Sequence, residues 1–270
     1  MIKIAQLASR AVLSVSGEDR VSYLQGLVSN DVALAEPGRA VWAALLTPQG
    51  KWLADFFIFA EADRLLLDVE AAQAEDLARR LMRFRLRAKV AVENEPLEVF
   101  AAWGDSLPLS PAEQGEVRAP DPRLPEAGWR VLGRGLATNA TAADYDTHRL
   151  RLGLPDGSRD MEAEKSVLLE AGFDELSGVS WTKGCYMGQE LTARTKYRGL
   201  IKRRLVPVSS EGALPSPGTP ILRDGAEVGT LRSSTGSIGL ALLRVDALGA
   251  ELDCSGVVTA NPPAWMRLPA

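Results

Sequence analysis

The residues with the clearest chemical potential lie in one stretch, 180–199, which reads SWTKGCYMGQELTARTKYRG. It holds Cys185, one of two cysteines in the 270-residue chain, with Lys183 two positions before it and glycines at 184 and 188. The nucleophilic and metal-binding form of cysteine is the thiolate, which a neighbouring cation or a helix N-terminus favours. The spacing predicts both. Residues 189–198 are helix-prone, and Glu190 stands four residues before Arg194, the better orientation for a helical ion pair. Lys196 and Arg198 fall in the last turn, where cations suit the dipole, and Gly199 reads as a left-handed stop. Cys185 is therefore expected just before a helix N-terminus, with Lys183 and the free N–H groups favouring its thiolate. The two flanking glycines mark a tight turn or a close backbone approach.

Two other groups of residues have chemical potential. Asp55 lies in GKWLADFF, within an apolar strand, where an unpaired carboxylate is costly to bury. Its bland reading is a strand residue facing solvent. Residues 196–204, KYRGLIKRR, carry five cations in nine positions and suit a polyanion, or equally a solvated helix end and strand edge. The single histidine, His148, excludes centres that need several histidines, and its neighbours Arg149 and Arg151 favour a surface reading. Cys254, with only Asp253 as a charged neighbour, reads as structural. Cys185 and Cys254 are too far apart for a disulfide framework or a zinc spacing, so no metal site is expected.

The signature K-G-C-Y-x-G-Q-E followed by A-R-x-x-x-R-G resembles that of the YgfZ/Iba57 family. These are folate-binding relatives of the glycine-cleavage aminomethyltransferase (T-protein), associated with iron–sulfur protein maturation and tRNA modification. The opening S-G-E-D-x-x-x-Y-L-Q-G-L-V-S-N-D-V is similar to the start of the aminomethyltransferase superfamily. The resemblance implies tetrahydrofolate or a one-carbon derivative as cofactor. It also implies iron–sulfur client or assembly proteins as partners, while the charges of the basic run suit the polyglutamate tail of a folate or tRNA phosphate. It assigns Cys185, Lys183 and Asp55 to the chemistry, and Tyr145, Asn30, Gln189, Glu190 and Arg194 to folate.

Two positions depart from the transferase pattern. Ala54 stands where the first acid of a catalytic pair would be, leaving Asp55 alone. Arg151 lies where a glutamate would hold the pterin, and a guanidinium accepts no hydrogen bond. A true aminomethyltransferase acting on a lipoyl-carried group is the alternative, and a tRNA-binding factor a third. A lone thiolate does not hold a cluster, which usually needs about four protein ligands, so contact with one would be shared with a partner chain, transient or redox in nature.

These residues need a scaffold, and the composition is that of a globular chain, 46% hydrophobic and 24% charged with a net charge of −4. That balance argues against a whole-surface nucleic-acid binder. The start, MIKIAQLASR, has no long apolar run, and no stretch is long enough to span a membrane, so a reducing, cytoplasmic setting is expected. Strands are predicted over 11–16, 41–46, 51–59, 64–69, 89–93, 97–103 and 129–132, and helices over 19–27, 71–84 and 141–152. The excursion at 103–123 reads as a loop. Five short strands over 205–208, 219–222, 227–232, 237–243 and 252–258 predict a small β-barrel. The fold class is α+β, and the resemblance implies a three-domain T-protein-like fold. Its parts would be a discontinuous folate-binding domain (1–45 plus 140–199), a ferredoxin-like middle domain (46–139) and a C-terminal β-barrel (200–270).

Overall fold

The computed structural model describes residues 1–104 and 115–268, so part of the loop expected at 103–123 lies outside the described residues. The chain forms two compact units. The first comprises Met1–Thr47, Leu53–Tyr145 and Ser177–Met187, and the second Pro48–Trp52, Asp146–Leu176 and Gly188–Ala270.

The first unit is built on two antiparallel sheets. One has five strands in the order Val41–Leu46, Trp52–Ala60, Arg64–Glu70, Arg10–Ser16 and Ala91–Glu95. Residues 10–16, from the segment assigned to the folate-binding domain, thus pair on both sides with strands from the expected middle domain, Leu13 standing opposite Leu67 and Asn94. The strands at 41–46 and 52–60 are buried almost throughout, which is why their apolar pattern does not alternate. The helix Ala74–Arg83 lays Leu77 and Leu81 into the same core as Leu13, Phe56 and Ile58. Glu75 and Asp76 in its first turn and Arg80 and Arg83 in its last complement the dipole. The second sheet runs Lys3–Gln6, Glu98–Trp103, Trp129–Gly133 and Val117–Pro120.

The helix Ala142–Leu152 starts in the first unit with a capping pair. The Asp144 N–H donates to Thr141 Oγ1 (3.2 Å), and the Thr141 N–H donates to the Asp144 carboxylate (2.8 Å). The second unit contains the rest of that helix, the helix Gln189–Tyr197 and a closed six-stranded barrel. Strand order around the barrel is Arg203–Ser210, Ile238–Arg244, Ala226–Thr235, Pro220–Arg223, Leu252–Asp253 and Val257–Ala260. The single strand expected at 252–258 is instead two short strands. Ser255 (φ 57°) and Gly256 (φ 138°) turn the chain between them, and the Asp253 carboxylate accepts from the Gly256 N–H at 2.8 Å.

Candidate functional site

The loop that carries Cys185 is held by backbone groups of residues 26–30. The Ser180 N–H donates to Ser29 O (3.1 Å), and the Met187 N–H donates to Gly26 O (3.1 Å). Asn30 completes the seam: its amide nitrogen donates to Trp42 O (2.8 Å) and Ser177 O (2.7 Å), and its oxygen accepts from the Asp31 N–H (2.9 Å). Both amide hydrogens of this folate candidate are therefore committed to the fold. Within this frame Cys185 is exposed and unpaired. Gly184 is exposed and a Cβ there would meet nothing, so of the two glycines it is Gly188, with a left-handed φ of 80°, that makes the expected backbone bend.

Lys183 is directed at the loop's anchors. Its ammonium donates to Val28 O and Asn30 O, both at 2.8 Å, and lies 5.3 Å from the centre of the Tyr186 ring. Burial pulls its pKa down to about 8, against a smaller upward pull from Asp31. The unfolded chain therefore binds more protons than the native one between pH ~8 and ~10.5, so this group alone makes stability rise with pH across that window. The Nζ resonance of Lys183 is expected to titrate near pH 8, well below the remaining lysines. A midpoint near 10.5 would show that burial does not outweigh the carbonyl bonds and the Asp31 charge that favour the ammonium.

Asp55 does not face solvent. It is 4% exposed, and its Oδ2 accepts from Trp42 Nε1 at 2.9 Å. It adjoins a buried charged layer whose assembly no local sequence pattern marks. Arg10 pairs with Asp68 (2.6 Å), Arg123 with Asp121 (2.7 Å), and Arg130 lies 3.4 Å from Asp68. All three guanidiniums gather on Phe57, at 5.9, 4.9 and 4.6 Å from its ring centre. Burial works to raise the Asp121 carboxyl, and the Arg123 guanidinium outweighs it, so the net shift is downward. Tyr145 closes the layer. Its hydroxyl accepts from Arg130 (3.0 Å), and its ring meets Trp103 edge-on with centres 5.5 Å apart. Arg10, Asp55, Asp68 and Arg130 are legible as charges inside strands, but Asp68 meets Arg10 and Arg130 from far along the chain, and only Arg123 finds its carboxylate, Asp121, two residues away.

In the second unit, Glu190 and Arg194 form the expected ion pair on the helix Gln189–Tyr197. Both side chains are solvent-exposed. Gln189 opens that helix after the left-handed Gly188. The helix stops as read. Gly199 (φ 61°) donates to Lys196 O and Leu200 to Thr195 O, a Schellman closure. Gly50 (φ 81°) packs on the helix start: a Cβ there would lie 2.6 Å from Gly188 O. The cationic run is largely neutralised, since Lys196, Arg203 and Arg204 face Asp174, Glu170 and Glu175, and Arg204 is buried. The segment read as surface around His148 holds another buried centre. Arg149 is 1% exposed and donates to Asp146 (2.5 Å), Asp160 (2.6 Å) and Ser233 (2.9 Å). Arg151, the expected departure at the pterin position, is exposed.

Comparison with known proteins gives the family and the fold. Residues 202–268 match the family described as the CAF17 C-terminal beta-barrel domain. Mitochondrial iron-sulfur cluster assembly factor IBA57 from Mus musculus is 33% identical, with 96% of this chain and 84% of that protein aligned. Its Homo sapiens counterpart is 35% identical over the same shares. The chain belongs to the IBA57 family. Among solved structures, the glycine cleavage system aminomethyltransferase T from Bartonella henselae superposes with a TM-score of 0.80 over 99% of this chain and 87% of that one. At 15% identity that likeness establishes the fold, which is the aminomethyltransferase fold expected from the signature. The match covers 99% of the chain, so the exposed Cys185 of this IBA57-family chain stands on a fold of this type.

Proposed function

We propose that this protein supports iron–sulfur cluster assembly or repair in client enzymes, as an accessory maturation factor rather than a methylene transferase. Its relatives are named for iron–sulfur cluster assembly. The observation that carries the reading is the exposed, unpaired thiol of Cys185 on a loop tied down at Ser180, Lys183 and Met187. A held thiol offers one ligand at a defined place. Clusters usually need about four, so the cluster is cargo shared with a partner chain that supplies the rest. Among the described residues no group of three or more potential ligands is assembled. Effects on tRNA modification would follow from client enzymes that carry clusters, since most of the cationic run is neutralised within the fold. Two unpaired thiols, one of them buried, suit a reducing compartment. The test is restoration: in cells lacking the protein, the chain should restore the activity of cluster enzymes and leave cluster-free enzymes unchanged.

Tetrahydrofolate binding is the second part of the proposal, and the fold supports it. The residues fit a folate in part. Asp55 is a buried carboxylate, while Arg151 offers no acceptor to a pterin edge, so pterin recognition falls to other acceptors such as backbone carbonyls. The folate would supply a one-carbon group when bound. A lone Asp55 without the acid replaced by Ala54 is poorly equipped for acid catalysis on it. Calorimetric titration with tetrahydrofolate is expected to show micromolar affinity, weakened by Tyr145→Ala. The absence of heat and of a thermal shift at saturating ligand would remove folate from the account.

A further inference from the structure

Residues 83–87, Arg-Phe-Arg-Leu-Arg, start at the last residue of the helix Ala74–Arg83 and are exposed at all five positions. The Ala88 N–H donates to Arg85 O at 2.8 Å, which makes 85–88 a four-residue turn with Leu86 at its second position. Leu86 has a φ of 45° and is 89% exposed. A positive φ there favours glycine or asparagine, and a branched apolar side chain gains nothing from water. The chain thus keeps a strained backbone and an unburied leucine at one residue, a combination that marks functional positions.

The turn is firmly footed. The Tyr23 hydroxyl donates to Leu81 O, and the Lys89 N–H donates to the Asp19 carboxylate at 2.7 Å. Charge is concentrated beside the leucine. Arg79 and Arg80 pair with Glu75 and Asp76, and Lys89 with Glu18. Arg83, Arg85 and Arg87 have no ion pair among the described residues.

We infer that this turn is a docking knob for a partner protein whose surface presents an apolar socket rimmed by carboxylates. Leu86 fills the socket with Phe84 beside it, and the three guanidiniums meet the rim, where their planar forks suit carboxylate pairs. Arg83, Arg85 and Arg87 lie within five residues. On either side of them in the chain, Lys89 and Arg79 carry the exposed carboxylates of Glu18 and Glu75, and the whole chain has a net charge of −4. An extended polyanion such as a nucleic acid or an anionic bilayer would meet those carboxylates as well, whereas a small acidic rim would not. A leucine at the centre has no use against a nucleic-acid backbone, and two apolar side chains offer a bilayer little buried area. The inference is independent of the Cys185 loop, which none of these residues holds.

The test uses the full chain and four defined probes: a synthetic peptide of mixed glutamate and leucine, polyglutamate of equal charge, vesicles of phosphatidylcholine with phosphatidylglycerol, and a single-stranded RNA oligonucleotide. The Glu/Leu peptide is expected to bind more tightly than the other three, in a salt-sensitive way. Leu86→Gly is expected to weaken that binding by about tenfold or more while raising the melting temperature, because the strain is relieved. Arg85→Glu with Arg87→Glu is expected to abolish binding with the fold intact. Unchanged binding by Leu86→Gly would overturn the inference, as would a fall in its melting temperature, which would make the leucine structural. Preference for vesicles or RNA would assign the patch to those surfaces instead, and binding to no probe would remove the docking role.

Discussion

Cys185→Ser is expected to lose most of the rescue of iron–sulfur enzyme activity in cells lacking the endogenous protein, while Asp55→Asn keeps the larger part. Serine preserves the size of the side chain but leaves a hydroxyl that stays protonated at neutral pH, where a thiol supplies a ligand and nucleophile. Changes in the surroundings of a metal site commonly cost roughly 10–100-fold, and loss of a ligating atom should cost at least as much. Because Cys185 is exposed, the substitution should shift stability by no more than about 0.5 kcal/mol, so lost rescue would not reflect unfolding. Asp55→Asn keeps an oxygen that can accept from Trp42 Nε1. It does remove a negative charge that supports buried Arg123, so its thermal stability must be measured beside its activity. An inactive but folded Asp55→Asn with a normal Cys185→Ser would point to acid chemistry on folate and the transferase reading. Full rescue by both would leave the protein as a binding scaffold.

Arg149→Met is expected to produce the largest loss of stability. The Arg149 guanidinium joins Asp146 on its own helix, Asp160 in the following loop and Ser233 on a barrel strand. Thr235 and Arg159 also reach Asp146, at 2.9 and 2.7 Å. Removing one partner of a buried ionic cluster leaves uncompensated charge and typically costs about 3–5 kcal/mol. Arg149→Lys should recover little of this, since one ammonium does not reproduce a planar fork that serves three acceptors.

The pH dependence identifies the cause. In the parent, burial raises the Asp160 carboxyl against the pull of Arg149. At Asp146 burial also pushes upward, but the hydrogen bond from Arg159 and the charges of both arginines prevail, and its carboxyl is held low. Asp146 thus contributes stability at neutral pH that is lost as pH falls through its depressed pKa, and Asp160 acts in the opposite sense. In Arg149→Met both carboxyls lose a cation and shift upward. The variant's deficit, measured by denaturant unfolding, should therefore narrow as the pH falls from 7 toward about 5. A deficit below about 1 kcal/mol, or one constant with pH, would mean that the network contributes packing and no charge compensation.

Local features were legible in the sequence because their causes are local. The 189–197 helix, its Glu190–Arg194 pair and its Gly199 stop all depend on residues within a few positions of each other. The barrel was readable from short strands between Gly and Pro turns, and the family from the spacing around Cys185. What the tertiary structure alone decided was the fate of the charges. Asp55 and Arg149 looked solvent-facing because a carboxylate or guanidinium is costly to bury without a partner. Arg149 has one partner on its own helix, Asp146, but the groups that complete these buried sites come from other elements. Arg10 meets Asp68, Arg149 meets Ser233, and Lys183 reaches Val28 across sequence separations of 58, 84 and 155 residues. No periodicity records such a meeting. A charged residue has the same local signature whether it will be solvated or paired in the interior, and only the folded chain brings up the opposite charge that makes its burial tolerable.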